Sequence, residues 1–166
     1  MTRRFKPPVY ATTKRGATHW VLNIGEDERA VIGQMLTELR AILTSDSDEA
    51  SPLLQRLFPT VYPDDEEKEA EYQRLMRDEL VTSRVFQIDA VADYLSDDDA
   101  TLDEGQVIAL MQSVNAVRVV LGTMLDVGED DEIGTGQVGD DYDAERQLYG
   151  FLSWILDWIV RSLQDT

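Results

Sequence analysis

The hydrophobic pattern of the chain changes period near residue 25. From Phe5 to Ile24 it suits a β-hairpin: Val9, Tyr10, Thr12 and Thr13 precede a turn at Lys14-Arg15-Gly16-Ala17. Residues Thr18 to Ile24 then alternate, with Trp20, Leu22 and Ile24 on one face. Pro7-Pro8 extends the backbone and removes ladder donors, so the first strand is expected at an edge. A two-stranded ribbon is too small to stand alone. It is expected to lie across helices or against a second copy of itself.

Beyond residue 25 the period is helical. Glu26-Asp27-Glu28 supplies first-turn negative charge, and Ala30, Val31, Met35, Leu36, Leu39, Ile42 and Leu43 recur at helical spacing to about Thr44, with Ser45 to Asp48 ending the run. Ser51-Pro52 reads as an N-cap with proline at the first helical position, opening a short helix through Leu53, Leu54 and Leu57. A long helix starts at Asp64-Asp65-Glu66-Glu67. Its apolar stripe changes phase between Tyr72-Leu75-Met76-Leu80 and Val85-Ile88-Val91-Leu95, which predicts a kink or new cap at Thr82-Ser83. Thr101-Leu102-Asp103-Glu104 reads as a capping box before the stripe Val107, Leu110, Val114, Val117, Leu121 and Met124. Residues 128–141 are acidic and glycine-rich, the pattern of a flexible loop, and a last helix runs from about Tyr142 to Leu163. The expectation is one mainly α domain over 1–166. It comprises a ribbon (1–24), helices (25–127), the loop (128–141) and a C-terminal helix (142–166), with about four long helices in a bundle.

Charge narrows the function classes. Residues 1–20 carry five basic and no acidic groups; the rest carries ten basic groups against 33 acidic, a charge of −23 within a net −18. A body this negative repels phosphate backbones, so strong direct nucleic-acid binding is not expected. The basic ribbon could touch nucleic acid or an acidic partner, but the simpler and stronger reading is a soluble edge that resists strand pairing. With no cysteine and one histidine, His19, the chain has no disulfide framework, thiolate zinc site or thiol switch of its own. No secretory signal and no uninterrupted apolar run of membrane-spanning length is read, and the cytoplasm is the expected compartment.

Gly134-Thr-Gly136-Gln-Val-Gly139 matches the dinucleotide fingerprint in letters, but the flanking acids would repel a pyrophosphate and no strand precedes it. It reads as loop. The acid-rich segments 97–103 and 126–132 lack calcium-loop spacing and read as caps and solvated loops. No cofactor and no metal is expected. Asn115 and Arg118 share a helix face with Gln112 and Gly122, away from the apolar stripe. There Gly122 allows close approach, and Arg118 meets a carboxylate either within the fold or on a partner. In the last helix, Leu148, Phe151, Leu152, Trp154, Ile155, Trp158, Ile159 and Leu163 cover about half the circumference. Trp154 and Trp158 on the rim of that arc, with Phe151 and Trp20, are the candidate interface residues, most economically of a homodimer.

Three segments carry a resemblance: Leu57-Phe-Pro-Thr-Val-Tyr62-Pro-Asp-Asp65, Asn115-Ala-Val-Arg118-Val-Val-Leu-Gly122-Thr and Leu148-Tyr-Gly-Phe-Leu-Ser-Trp154. They resemble the AosR-like actinobacterial oxidative-stress regulators, a family long catalogued as a domain of unknown function. The resemblance implies a cytoplasmic, non-enzymatic regulator of transcription that contacts a sigma factor or RNA polymerase. Oxidation sensing through cysteines, attributed to some relatives, has no thiol to use here. An acidic body suits such a role if it meets a basic protein surface, where charge complementarity speeds association. The rival expectations are a divalent-metal carboxylate hydrolase, resting on the acid clusters, and a structural adaptor dimer with no promoter role.

Overall fold

In the computed structural model, which describes residues 4–45, 51–131 and 140–166, the ribbon pairs β1 (Val9–Lys14) with β2 (Ala17–Leu22) in antiparallel register, Lys14 opposite Ala17. Arg15 and Gly16 make the two-residue turn, with φ of 52° and 78°. That pair of positive angles matches the right-handed twist of a hairpin, and Gly16 meets it without steric cost. The sheet has three strands in the order β1-β2-β3, because Thr101–Leu102 pairs with Val21 and Trp20 as β3. β1 is therefore an edge strand, as its prolines imply.

The ribbon lies across the helices. Val9, Trp20, Leu22 and Leu102 are all buried, and the strands pack on the two C-terminal helices. Trp20, expected at an interface, is instead core: it is 3% exposed and its Nε1 donates to the Ser162 carbonyl at 3.4 Å. Its indole finds both its apolar cover and its acceptor inside the fold.

Five helices are present among the described residues: α1 (Glu26–Leu43), α2 (Ser51–Leu57), α3 (Glu66–Leu95), α4 (Glu104–Asp131) and α5 (Asp140–Gln164). The cap expected at Ser51 lies outside the described side chains. α3 begins as its acids predict, Asp65 accepting from the Lys68 backbone at 3.1 Å. It then runs unbroken through Thr82-Ser83 for 30 residues, so no new cap exists there. The change of apolar phase reflects a change of neighbour. Near its start α3 lays Arg77 over the Phe58 ring at 5.4 Å and Tyr72 edge-on to Tyr62 at 6.0 Å. Near its end Ile88, Val91 and Leu95 enter the core.

The capping box stands two residues later than expected. Gln106 donates its backbone N–H to Asp103 Oδ1 at 2.8 Å, and Asp103 donates its own to Gln106 Oε1 at 2.9 Å. Thr101 and Leu102 are consumed by the sheet, so Asp103 becomes the N-cap. α4 continues helically through residues 128–131, which the pattern places in the loop, and α5 starts at Asp140. The remaining loop residues, 132–139, lie outside the described residues, as does the Gly134–Gly139 motif. The helical segment Glu104–Leu125, with mean hydropathy 1.5, is long and apolar enough by length and composition to cross a membrane, although Gln106, Gln112, Asn115 and Arg118 interrupt its apolar run. Val107, Leu110, Val114, Val117 and Leu121 nevertheless bury one side of it in the core.

One side chain welds these layers together. Arg29, 6% exposed, donates to the carbonyls of Leu22 (2.7 Å), Leu95 (3.2 Å), Asp97 (3.3 Å) and Ile24 (3.4 Å), and pairs with Asp98 at 3.6 Å. It joins the end of β2, the start of α1 and the end of α3. The buried stripe of α1 is accordingly Arg29, Ile32, Leu36, Leu39 and Leu43. The expected stripe was rotated toward Ala30 and Val31, both of which are exposed.

Candidate functional site

α4 is the spine of the molecule, and at about 100° per residue its buried stripe leaves two flanks. On one flank, Val120 and Met124 of α4, Val31, Met35 and Ile42 of α1 and Leu148 of α5 line a groove of about 540 Å³. These α1 residues are the ones displaced from the buried stripe by Arg29. Val31 and Met124 are 40% and 46% exposed, so the groove presents apolar surface to solvent. Its polar lining is Gln34, Glu38 and Glu145. An apolar trough with carboxylates and an amide beside it suits an amphipathic helix with basic flanks.

The other flank has the opposite character. Arg56 from α2, Arg118 and Thr123 from α4, and Arg146 and Tyr149 from α5 line a cleft of about 460 Å³. Arg118 donates from Nη2 to Asn115 Oδ1 at 3.1 Å, and its guanidinium lies 5.8 Å from the Tyr149 ring centroid. Gly122 makes this stacking possible: a Cβ there would stand 3.2 Å from Tyr149 Cε2. Arg56 donates from Nε to Thr123 Oγ1 at 3.4 Å. A second hollow of about 350 Å³ adjoins the first through Arg56 and Val119 and adds Arg84, Gln87, Gln112 and Asn115. Gln87 donates to Gln112 across α3 and α4. Among the described residues, no carboxylate lines either hollow, although the chain holds 33.

The residues singled out from sequence therefore fall in different places. Asn115 and Arg118 come together in the cleft, where Arg118 meets an amide and a ring. Among the described residues no carboxylate bridges it, so the expected ion pair within the fold is not the contact observed. Phe151 and Trp154 are neighbours with ring centroids 6.3 Å apart, Phe151 half-buried and Trp154 46% exposed. Trp158 is half-buried between Phe5 at 5.9 Å and Arg161 at 5.3 Å. Trp20 is separate from all of these, inside the core. Sequence reading passed over Arg56, Arg146 and Tyr149 because they stand on different helices and no local period links them. A signal was available: ten basic groups in a −23 body are scarce enough that each invites a question about its place.

The acid-rich segments have local duties where they are described. Asp97 Oδ1 accepts from the Asp99 backbone at 3.0 Å, Asp98 pairs with Arg29, and Asp103 caps α4. Among the described residues no three histidine or acidic side chains group to hold a metal ion; the side chains of 126–132 lie outside them. His19 sits half-buried in β2 opposite Thr12. Among the described residues, two groups are shifted from their ordinary ranges. Burial, reinforced by the Asp103 charge, pushes the Tyr94 phenol up; its hydroxyl donates to the Gln106 carbonyl at 2.8 Å. Hydrogen bonds from the Gln73 side chain and the Tyr62 and Val61 backbones hold Glu69 low. Glu69 thereby ties the Pro59–Pro63 turn to α3. Neither group lines the groove or the cleft.

A family model described as a domain of unknown function, DUF2017, matches residues 3–163, nearly the whole chain. No curated protein and no solved structure matches.

Proposed function

We propose, from the premise that this chain belongs to the DUF2017 family, that it is a non-enzymatic, cytoplasmic regulator of transcription acting by protein contact. The groove between α1 and α4 carries the reading: exposed Val31 and Met124 stand with Glu38 and Glu145 on a body of charge −23. The partner it suits is a basic amphipathic helix, whose apolar side fills the trough and whose lysines and arginines meet the acidic flanks. The likeness of the Leu57–Asp65, Asn115–Thr123 and Leu148–Trp154 segments to AosR-like oxidative-stress regulators supports a sigma factor or RNA polymerase as that partner.

The test is titration of the labelled full chain with purified sigma factors and with core polymerase. Binding that weakens as salt rises, and falls roughly thirtyfold in Val31→Asp and in Met124→Asp, is the expected result. Absence of binding to all of them, or binding that both variants retain, overturns the reading. So does tight binding of duplex DNA by the chain alone at physiological salt.

Self-association is a second reading, favoured by Trp154 standing exposed beside Phe151. Protomers of −18 repel, so an apolar contact there strengthens with added salt. Sedimentation over a concentration series decides it: dimers that Trp154→Ala dissociates support it, and a wild-type monomer throughout removes it.

A further inference from the structure

Three guanidiniums drawn from three helices converge on one cleft in a strongly acidic protein. Arg56, Arg118 and Arg146 line it with Thr123 and Tyr149, and none of its described lining residues is acidic. Bringing like charges together costs free energy that a fold does not supply without return. Arg146 has an interaction of its own; the groups left to receive a ligand are those of Arg56 and Arg118. Arg118 Nε is buried and has no hydrogen-bond partner, although buried donors are nearly always satisfied. Its guanidinium carbon lies 5.8 Å from the Tyr149 ring centroid, a contact that uses none of its donors, and among the described residues only Nη2 is engaged, on Asn115 Oδ1. Arg56 spends its Nε on the Thr123 hydroxyl at 3.4 Å, a long bond that a stronger acceptor displaces easily.

We propose that this cleft binds the phosphoryl group of a phosphorylated small molecule. A phosphate dianion offers three oxygens to several converging forks and carries the charge that more than one arginine requires. A monocarboxylate offers two oxygens and half the charge. The volume, about 460 Å³, admits a small ligand. The adjoining hollow, with Gln87, Gln112 and Asn115, presents amide donors and acceptors to the uncharged remainder of the molecule. This site stands apart from the α1/α4 groove, so the two proposals fail independently.

Calorimetric titration of the full chain at low salt with inorganic phosphate, adenosine 5′-monophosphate and acetate tests it. Both phosphates are expected to bind, the nucleotide at least as tightly as inorganic phosphate, and acetate is expected to give no binding. Arg118→Gln and Arg56→Gln should each weaken phosphate binding roughly tenfold, whereas Arg40→Gln, on α1 and paired with Asp89 at 3.0 Å outside the cleft lining, should leave it unchanged. Arg56 is exposed, so its substitution tests the site even if Arg118→Gln fails to fold. Absence of phosphate binding, affinity indifferent to Arg56→Gln, or equal binding of acetate overturns the proposal.

Discussion

The two flanks of α4 are built from the same helix and teach opposite lessons about surplus residues. On the α1 side the surplus is apolar: Val31 of α1 and Met124 of α4 stand exposed on the same groove, beside a buried α1 stripe that includes Arg29. On the α2 side the surplus is charge: arginines from α2, α4 and α5 share one cleft in a body with few to spend. Burial explains neither arrangement. A core is indifferent to a half-exposed methionine on its rim and is burdened by clustered guanidiniums, which is why each flank invites a ligand of its own kind.

The largest difference between the two flanks is expected on substitution of Arg29. Arg29→Leu strands the carbonyls of Leu22, Leu95 and Asp97 and should destabilise the fold by about 3 kcal/mol, read by urea denaturation. Because it anchors the start of α1, the loss should loosen the groove more than the cleft. Amide exchange of α1 that accelerates no more than that of α2 would show the flanks to be mechanically coupled.

Met124→Asp should weaken partner binding by about 2 kcal/mol while leaving stability nearly unchanged, since the side chain is already 46% exposed. Phosphate titration of the same variant should be unaltered. A parallel loss of both affinities would merge the two flanks into one site.

Gly122→Ala perturbs the cleft flank alone. The new Cβ gains up to about 0.8 kcal/mol of helix propensity but presses on Tyr149 Cε2 at 3.2 Å. A net destabilisation of about 1 kcal/mol is expected, with phosphate affinity falling as the Arg118 stack shifts and groove binding intact. Thermal melts and the two titrations measure all three.

Tyr94 gives the smallest effect and serves as a control at the base of α4. Its phenol is raised above its ordinary value by burial and by the Asp103 charge. The folded state therefore holds the proton more tightly than the unfolded chain. The stabilisation is fully present below about pH 10 and is lost as pH rises above it. Tyr94→Phe should flatten that alkaline loss and cost about 1 kcal/mol at neutral pH through the Gln106 carbonyl. Neither binding affinity should change; denaturation curves from pH 7 to 11 are the measurement.

Much of the architecture was legible because it rests on local chemistry. Alternation around Trp20 marks a strand, Pro7-Pro8 marks an edge, and acids mark the starts of α1 and α3. Gly122 was legible as a close approach, though its neighbour, Tyr149, was not. The capping box was displaced because Thr101-Leu102 satisfies two local rules, cap and strand. Pairing with Trp20 and Val21, some 80 residues away, selects the strand.

By itself the sequence determined the element types, their approximate order and the division between a basic ribbon and an acidic body, since periodicity and charge are properties of neighbours along the chain. Only the tertiary structure decided which apolar residues are left uncovered and which arginines meet. The α1 stripe turned by one residue because Arg29 found four carbonyls belonging to β2, the turn before α1, and the end of α3. Arg56, Arg118 and Arg146, as many as 90 residues apart, line one cleft because α2 and α5 both pack on α4. Such convergence follows from long-range packing, which no local period encodes.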